Sequence, residues 1–96
     1  MPIKRSLPAA LKMARKSRGL SQEAFADVSS RTYMSTLERG LKSPTLNKLA
    51  DICEVLGIHP LTLLTLSYTG GSASEVDALI ARMRRELAAL TRRVAS

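Results

Sequence analysis

Between Ser21 and Pro60 the chain is cut at short intervals by residues that start and stop helices, and this punctuation restricts it to short helices packed on one another. Ser21 stands as cap to a segment containing Gln22–Asp27, whose apolar residues are Phe25, Ala26 and Val28. Ser29 or Ser30 caps the next, Arg31–Arg39, which Gly40 closes. Thr45 caps a fourth segment that ends at Gly57, with a stripe of Leu46, Leu49, Cys53 and Leu56 flanked by Ile52. His59-Pro60 opens a short, leucine-rich fifth. Upstream, Ser6 is placed to cap a first helix with Pro8 in its first turn. Leu7, Leu11, Ala14 and Leu20 form its inward face, and Gly19 ends it. No segment alternates as a strand would, and no internal repeat occurs. The expected fold is all-helical.

At Thr69-Gly70-Gly71-Ser72-Ala73-Ser74 the composition changes abruptly to glycine and serine, which reads as a flexible joint over residues 70–74. Either Ser72 with Glu75 or Ser74 with Asp77 supplies a capping-box start for a last helix over residues 75–96. Its apolar residues Val76, Ile80, Met83, Leu87, Leu90 and Val94 recur at alternating steps of four and three, a heptad seam with Ile80, Leu87 and Val94 at a and the other three at d. The flanking positions Asp77, Leu79, Arg84, Glu86, Thr91 and Arg93 form no complementary charge ladder, so the seam predicts self-association without specifying its orientation. Folding back on the first domain is the competing expectation. A basic amphipathic helix on anionic lipid is a weaker one, since the segment lacks an aromatic anchor.

The formal charge of +7 is spread along the chain. Residues 1–69 hold ten Lys/Arg against five Asp/Glu, and the remainder holds five against three. A small basic domain favours a polyanionic partner through counterion release. Two Tyr, one Phe and no Trp argue against a stacking platform for single strands. Pro8, Lys12 and Arg15 interrupt any apolar signal segment, and the longest apolar run, Leu61–Leu66, contains two threonines. A single cysteine forms no internal disulfide, so the expected compartment is the cytoplasm, with no membrane association. Cys53 reads as core packing, and His59 as a cap. With no paired carboxylates or Ser/His/Asp group in a supporting context, neither an enzyme, a metal nor a cofactor is expected.

The motifs Arg15-x-x-x-Gly19-Leu20-Ser21-Gln22-Glu23, Phe25-Ala26, Ser35-x-Leu37-Glu38-Arg39-Gly40, Ser43-Pro44-Thr45-Leu46, Leu49, Ile52, Leu56-Gly57-Ile58 and Pro60-Leu61 follow one another in order. Together they resemble the DNA-binding domain of the lambda-repressor/Cro group, the XRE family of helix-turn-helix regulators, over roughly Leu7 to Leu66. The resemblance implies a five-helix DNA-binding domain at residues 1–69, followed here by the joint and a dimerisation helix. It also implies a partner, duplex DNA, read by the helix Arg31–Arg39 lying in the major groove. It further implies that Arg15 pairs with Glu38, bracing the first helix against the reading helix.

Helical spacing turns Met34 and Leu37 inward and leaves Arg31, Thr32, Ser35, Thr36 and Arg39 on the other side. Arginine can bond guanine through two nitrogens; Ser and Thr hydroxyls bond several bases. Carried over by position, Arg31, Thr32 and Thr36 read bases, Gln22 and Ser30 hold phosphates, and Arg39 and Lys42 hold the flanking backbone. Tyr33 either packs its ring or extends its hydroxyl to a phosphate. Lys4 and Arg5 form a basic arm that adds phosphate contacts. One departure stands out: Val28-Ser29-Ser30 is about two residues shorter than the family's connection and lacks its turn glycine. This predicts a shortened second helix or a tighter, serine-capped turn.

The combined expectation is a homodimeric regulator on an inverted-repeat operator, repressor rather than activator. Alternatives are an antitoxin, a restriction–modification controller, or an interaction module whose last helix recruits a protein partner.

Overall fold

The computed structural model describes residues 3–95, with side chains for residues 7–92. The described residues form five α-helices and one 3-10 turn: α1 (Ile3–Ser17), the turn Gln22–Phe25, α2 (Arg31–Glu38), α3 (Leu46–Leu56), α4 (Pro60–Thr69) and α5 (Ala73–Ala95). α2 is therefore the third helical segment of the sequence.

Local capping explains most of the boundaries. The Ser30 hydroxyl accepts the Tyr33 N–H, that of Thr45 accepts the Lys48 N–H, and His59 Nδ1 accepts the Leu61 N–H, each satisfying a first-turn donor. Gly57 closes α3 with φ +74, a left-handed conformation that a side chain would disfavour. Gly40, also at φ +74, follows α2 so closely packed that a Cβ there would lie 3.3 Å from Pro8 Cγ.

Three boundaries depart from the sequence expectation. α1 begins at Ile3, so Ser6 lies inside it rather than capping it, and Pro8 is an interior residue that removes one backbone bond. The segment expected as a second helix is a single 3-10 turn. Ala24 N–H donates to Ser21 O and Ala26 N–H to Glu23 O, both 3.1 Å, and Val28 and Ser29 N–H then both donate to Phe25 O. A lone i+4 bond, from Ser29 N–H to Phe25 O, follows the 3-10 turn before α2 begins, and the Ser21 side chain makes no capping bond. α5 starts at Ala73, so Ala73 and Ser74 are helical and the expected joint narrows to Gly70-Gly71-Ser72. Gly70 N–H closes α4 on Leu66 O at 2.8 Å, and Val76 N–H bonds Ser72 O to begin α5.

The core gathers Ala10 and Leu11 from α1, Phe25 from the turn, Met34 and Leu37 from α2, Leu49, Ile52, Cys53 and Leu56 from α3, and Leu63 from α4. α1 lies along α4, and α2 is held between α1 and the 3-10 turn. Leu46, expected in the α3 stripe, is instead 78% exposed. It shares the angular position of Cys53, but helical side chains lean toward the amino terminus, so in the first turn it points past the core. α3 and α4 meet at 98°, and no single described helix is long and apolar enough to cross a membrane.

α5 is about 34 Å long by helical rise, in a molecule whose longest dimension is 48 Å. Its first turns pack on α4, where Val76 and Ile80 face Leu61, Thr65 and Leu66 across a shallow groove. Part of the seam thus folds back, as the competing expectation had it. Farther along, Leu87 and Leu90 stand 58% and 64% exposed. The Val94 side chain lies outside the described residues.

Candidate nucleic-acid interface

α2 is short, and its orientation rests on two kinds of anchor. Met34 and Leu37 are buried in the core, three residues apart on one side. At the end of α2, Glu38 receives Arg15 Nε at 2.6 Å and Nη2 at 2.9 Å, while Arg15 Nη1 donates to Leu20 O at 2.8 Å. Bonded to Glu38 and lying beside its charge, the Arg15 guanidinium is held above its ordinary pKa despite burial. α1, the loop at Leu20 and α2 are thereby locked in one arrangement.

The opposite face of α2 is turned away from the core. Arg31 and Thr32 are exposed at its first turn, Ser35 and Thr36 are half-buried, and Arg39 is exposed at its end. Thr36 Oγ1 donates to Thr32 O at 2.8 Å, which leaves its methyl and oxygen lone pairs for a ligand. Arg39 bends back weakly to Ser35 O at 3.4 Å. Lys42 lies exposed in the loop after α2. Lys4 and Arg5, expected as a basic arm, instead belong to the first turn of α1; their side chains lie outside the described residues.

Three further residues expected on phosphates or bases also have bonds within the chain. The Ser30 hydroxyl is the cap of α2, so only its own proton remains to donate outward. Gln22 is half-buried and gives one amide hydrogen to Glu38 Oε1 at 3.3 Å, retaining a second donor. Arg31 Nη1 meets Glu23 Oε1 at 3.1 Å on the open surface.

Sequence reasoning had no role for Lys48. This α3 residue donates its Nζ to Val28 O at 2.5 Å and sits 5.8 Å above the Tyr33 ring. It ties the shortened connection to α3 and packs Tyr33 in place, with Ser29, Ser30 and Thr45 around the same shallow depression. The contact spans twenty residues, and no local pattern in the sequence signals it. Elsewhere, Cys53 is fully buried, and burial pushes its thiol pKa up.

Comparison with known proteins agrees with this geometry. Residues 11–63 match the family model described as helix-turn-helix. The uncharacterised HTH-type transcriptional regulator y4dJ of Sinorhizobium fredii is 38% identical over 53 residues, spanning 53% of this chain and 69% of that protein. Two crystal structures of the clp gene regulator ClgR from Corynebacterium glutamicum are also similar. One aligns with a TM-score of 0.66 at 28% identity over 76% of this chain and 97% of its own. The other aligns with 0.65 at 27% over 94% and 90%.

Proposed function

This chain belongs to the helix-turn-helix family and is a DNA-binding transcriptional regulator, and from that premise we propose how it engages its operator. The family is one of regulators rather than of enzymes. In this reading residues 1–69 bind duplex DNA, residues 70–72 join the two parts, and α5 pairs two copies of the chain. Each α2 enters the major groove of one half-site of an inverted repeat. Arg31, Thr32 and Thr36 read base edges with Ser35 beside them, while Gln22, Ser30, Tyr33, Arg39 and Lys42 hold the backbone. The observation that carries this reading is the outward, arginine- and hydroxyl-bearing face of α2 on a helix whose inner face is immobilised by Met34, Leu37 and the Arg15–Glu38 pair.

Pairing through α5 is supported by the exposed Leu87 and Leu90, which continue the seam beyond the groove with α4. The same exposure favours one second reading, in which α5 recruits a different protein. Repression in the cytoplasm follows most simply, because occluding a promoter needs only occupancy. Selection of bound sequences from a randomised duplex pool tests the reading. Recovery of a two-fold-symmetric site that Arg31→Ala no longer selects supports it, and a pool without enrichment overturns it.

A further inference from the structure

The 3-10 turn sends consecutive side chains to opposite ends of the reading helix. Gln22 reaches Glu38, the last residue of α2, and Glu23 reaches Arg31, the first. The two contacts differ in setting. Gln22 joins a buried ion pair, whereas the Arg31 and Glu23 side chains are 71% and 69% exposed. An ion pair so open to water contributes little to folding. A carboxylate is also an unfavourable group to keep on a surface that approaches phosphates.

We propose that Glu23 is a specificity-determining positioning residue: it holds the Arg31 guanidinium by one nitrogen and turns it toward a base edge instead of a phosphate. This inference deepens the reading of α2 given above and rests on it. A guanidinium carries five N–H donors in a rigid fork, and the contact at Nη1 leaves the Nε–Nη2 edge complete. That edge suffices for the two-bond contact with guanine O6 and N7. Without a tether, a long flexible arginine at the start of α2 has phosphates within reach, and a phosphate contact carries no sequence information. Glu23 repels a phosphate at that place while attracting the arginine, so it penalises the unspecific pose more than the base-reading one. The shortened connection makes this possible. Because Val28 and Ser29 N–H both close on Phe25 O, at 3.0 and 2.8 Å, the chain folds back sharply enough to set Arg31 beside Glu23.

The experiment uses the full chain and a duplex selected from a randomised pool. Affinities of wild type, Glu23→Gln, Arg31→Ala and the double variant are measured on that duplex, on single-base-pair replacements of it, and on an unrelated duplex at several salt concentrations. Arg31→Ala should remove preference at one position per half-site, a loss of roughly tenfold or more. Glu23→Gln should lower the same preference about two- to fivefold, the range that an exposed ion pair can supply. It should also strengthen binding to the unrelated duplex and steepen its salt slope by about one per half-site, as Arg31 moves to phosphate. In the Arg31→Ala background, Glu23→Gln should leave the preference at that position unaltered. If Arg31→Ala itself changes no preference, the reading of α2 fails and the inference with it. If Arg31→Ala acts but Glu23→Gln leaves preference intact, or alters it only at other positions, Glu23 does not position Arg31 and the inference alone is overturned.

Discussion

Arg15 grips Glu38 with two of its nitrogens and the Leu20 carbonyl with the third, and the two side chains are only 11% and 4% exposed. A charge removed from water to this degree persists only with its partner, so the pair makes α2 and α1 depend on one another. The end of α2 that carries Arg39 and leads to Lys42 is positioned by this pair.

Removing one partner should therefore be worse than removing both. Glu38→Ala leaves a buried guanidinium unpaired and should lower stability by about 3–5 kcal/mol. The double replacement Arg15→Met with Glu38→Leu should lose less than either single variant. Urea unfolding followed by circular dichroism measures both, and a loss under about 1 kcal/mol in Glu38→Ala would place the pair with solvent-screened surface pairs.

Substitutions on the outer face of α2 and in the loop after it should separate base reading from backbone contact. Arg31→Ala should weaken the selected duplex by about 1–3 kcal/mol and relax one position per half-site. Lys42→Ala should weaken all duplexes alike. Fluorescence anisotropy with matched and mismatched duplexes distinguishes the two patterns; a uniform loss in both variants would remove Arg31 from the reading face.

Salt should act strongly on a chain of formal charge +7. With Arg39, Lys42, Gln22, Lys4 and Arg5 contributed twice by a dimer, affinity should fall roughly a thousandfold or more between 50 and 200 mM salt. A flat response in the same titration would argue against phosphate-dominated binding.

Self-association should depend on the distal part of α5. Each large apolar side chain taken from water contributes about 1.5–3 kcal/mol, so Leu87→Asp should dissociate the dimer and weaken operator binding far more than unspecific binding. Light scattering at tens of micromolar decides this. A monomeric wild type would sink the pairing, and an unchanged dimer in a chain ending at Thr69 would move the interface to α4, where Leu61 is 55% exposed.

Cys53 should be inert in the native protein. It is fully buried and its thiol pKa is raised by that burial, so little thiolate exists near neutral pH. Alkylation should be slow in buffer and fast in denaturant. Equal rates in the two would mean that α3 opens readily.

Much of this molecule is a matter of neighbours along the chain. Ser30, Thr45 and His59 cap the helices they precede, Gly57 turns out of α3, and the three-residue spacing of Met34 and Leu37 faces both inward. Such features arise from bonds spanning two to four residues, which a sequence displays directly. The seam of α5 is equally visible, since its period is a property of one helix. What covers it is not: Val76 and Ile80 meet α4 only because Gly70 and Gly71 turn the chain back, both at positive φ. The missing connection length was likewise readable, but its resolution as a 3-10 turn, braced by Lys48 across twenty residues, required α3 to stand beside it. Leu46 obeys its helical stripe and still lies in solvent, because a stripe gives direction around the axis and says nothing of where along it the core ends. The Glu23–Arg31 contact belongs to the same class. Its two charges were plain in the chain, and only the closing of Val28 and Ser29 on Phe25 brought them within 3.1 Å.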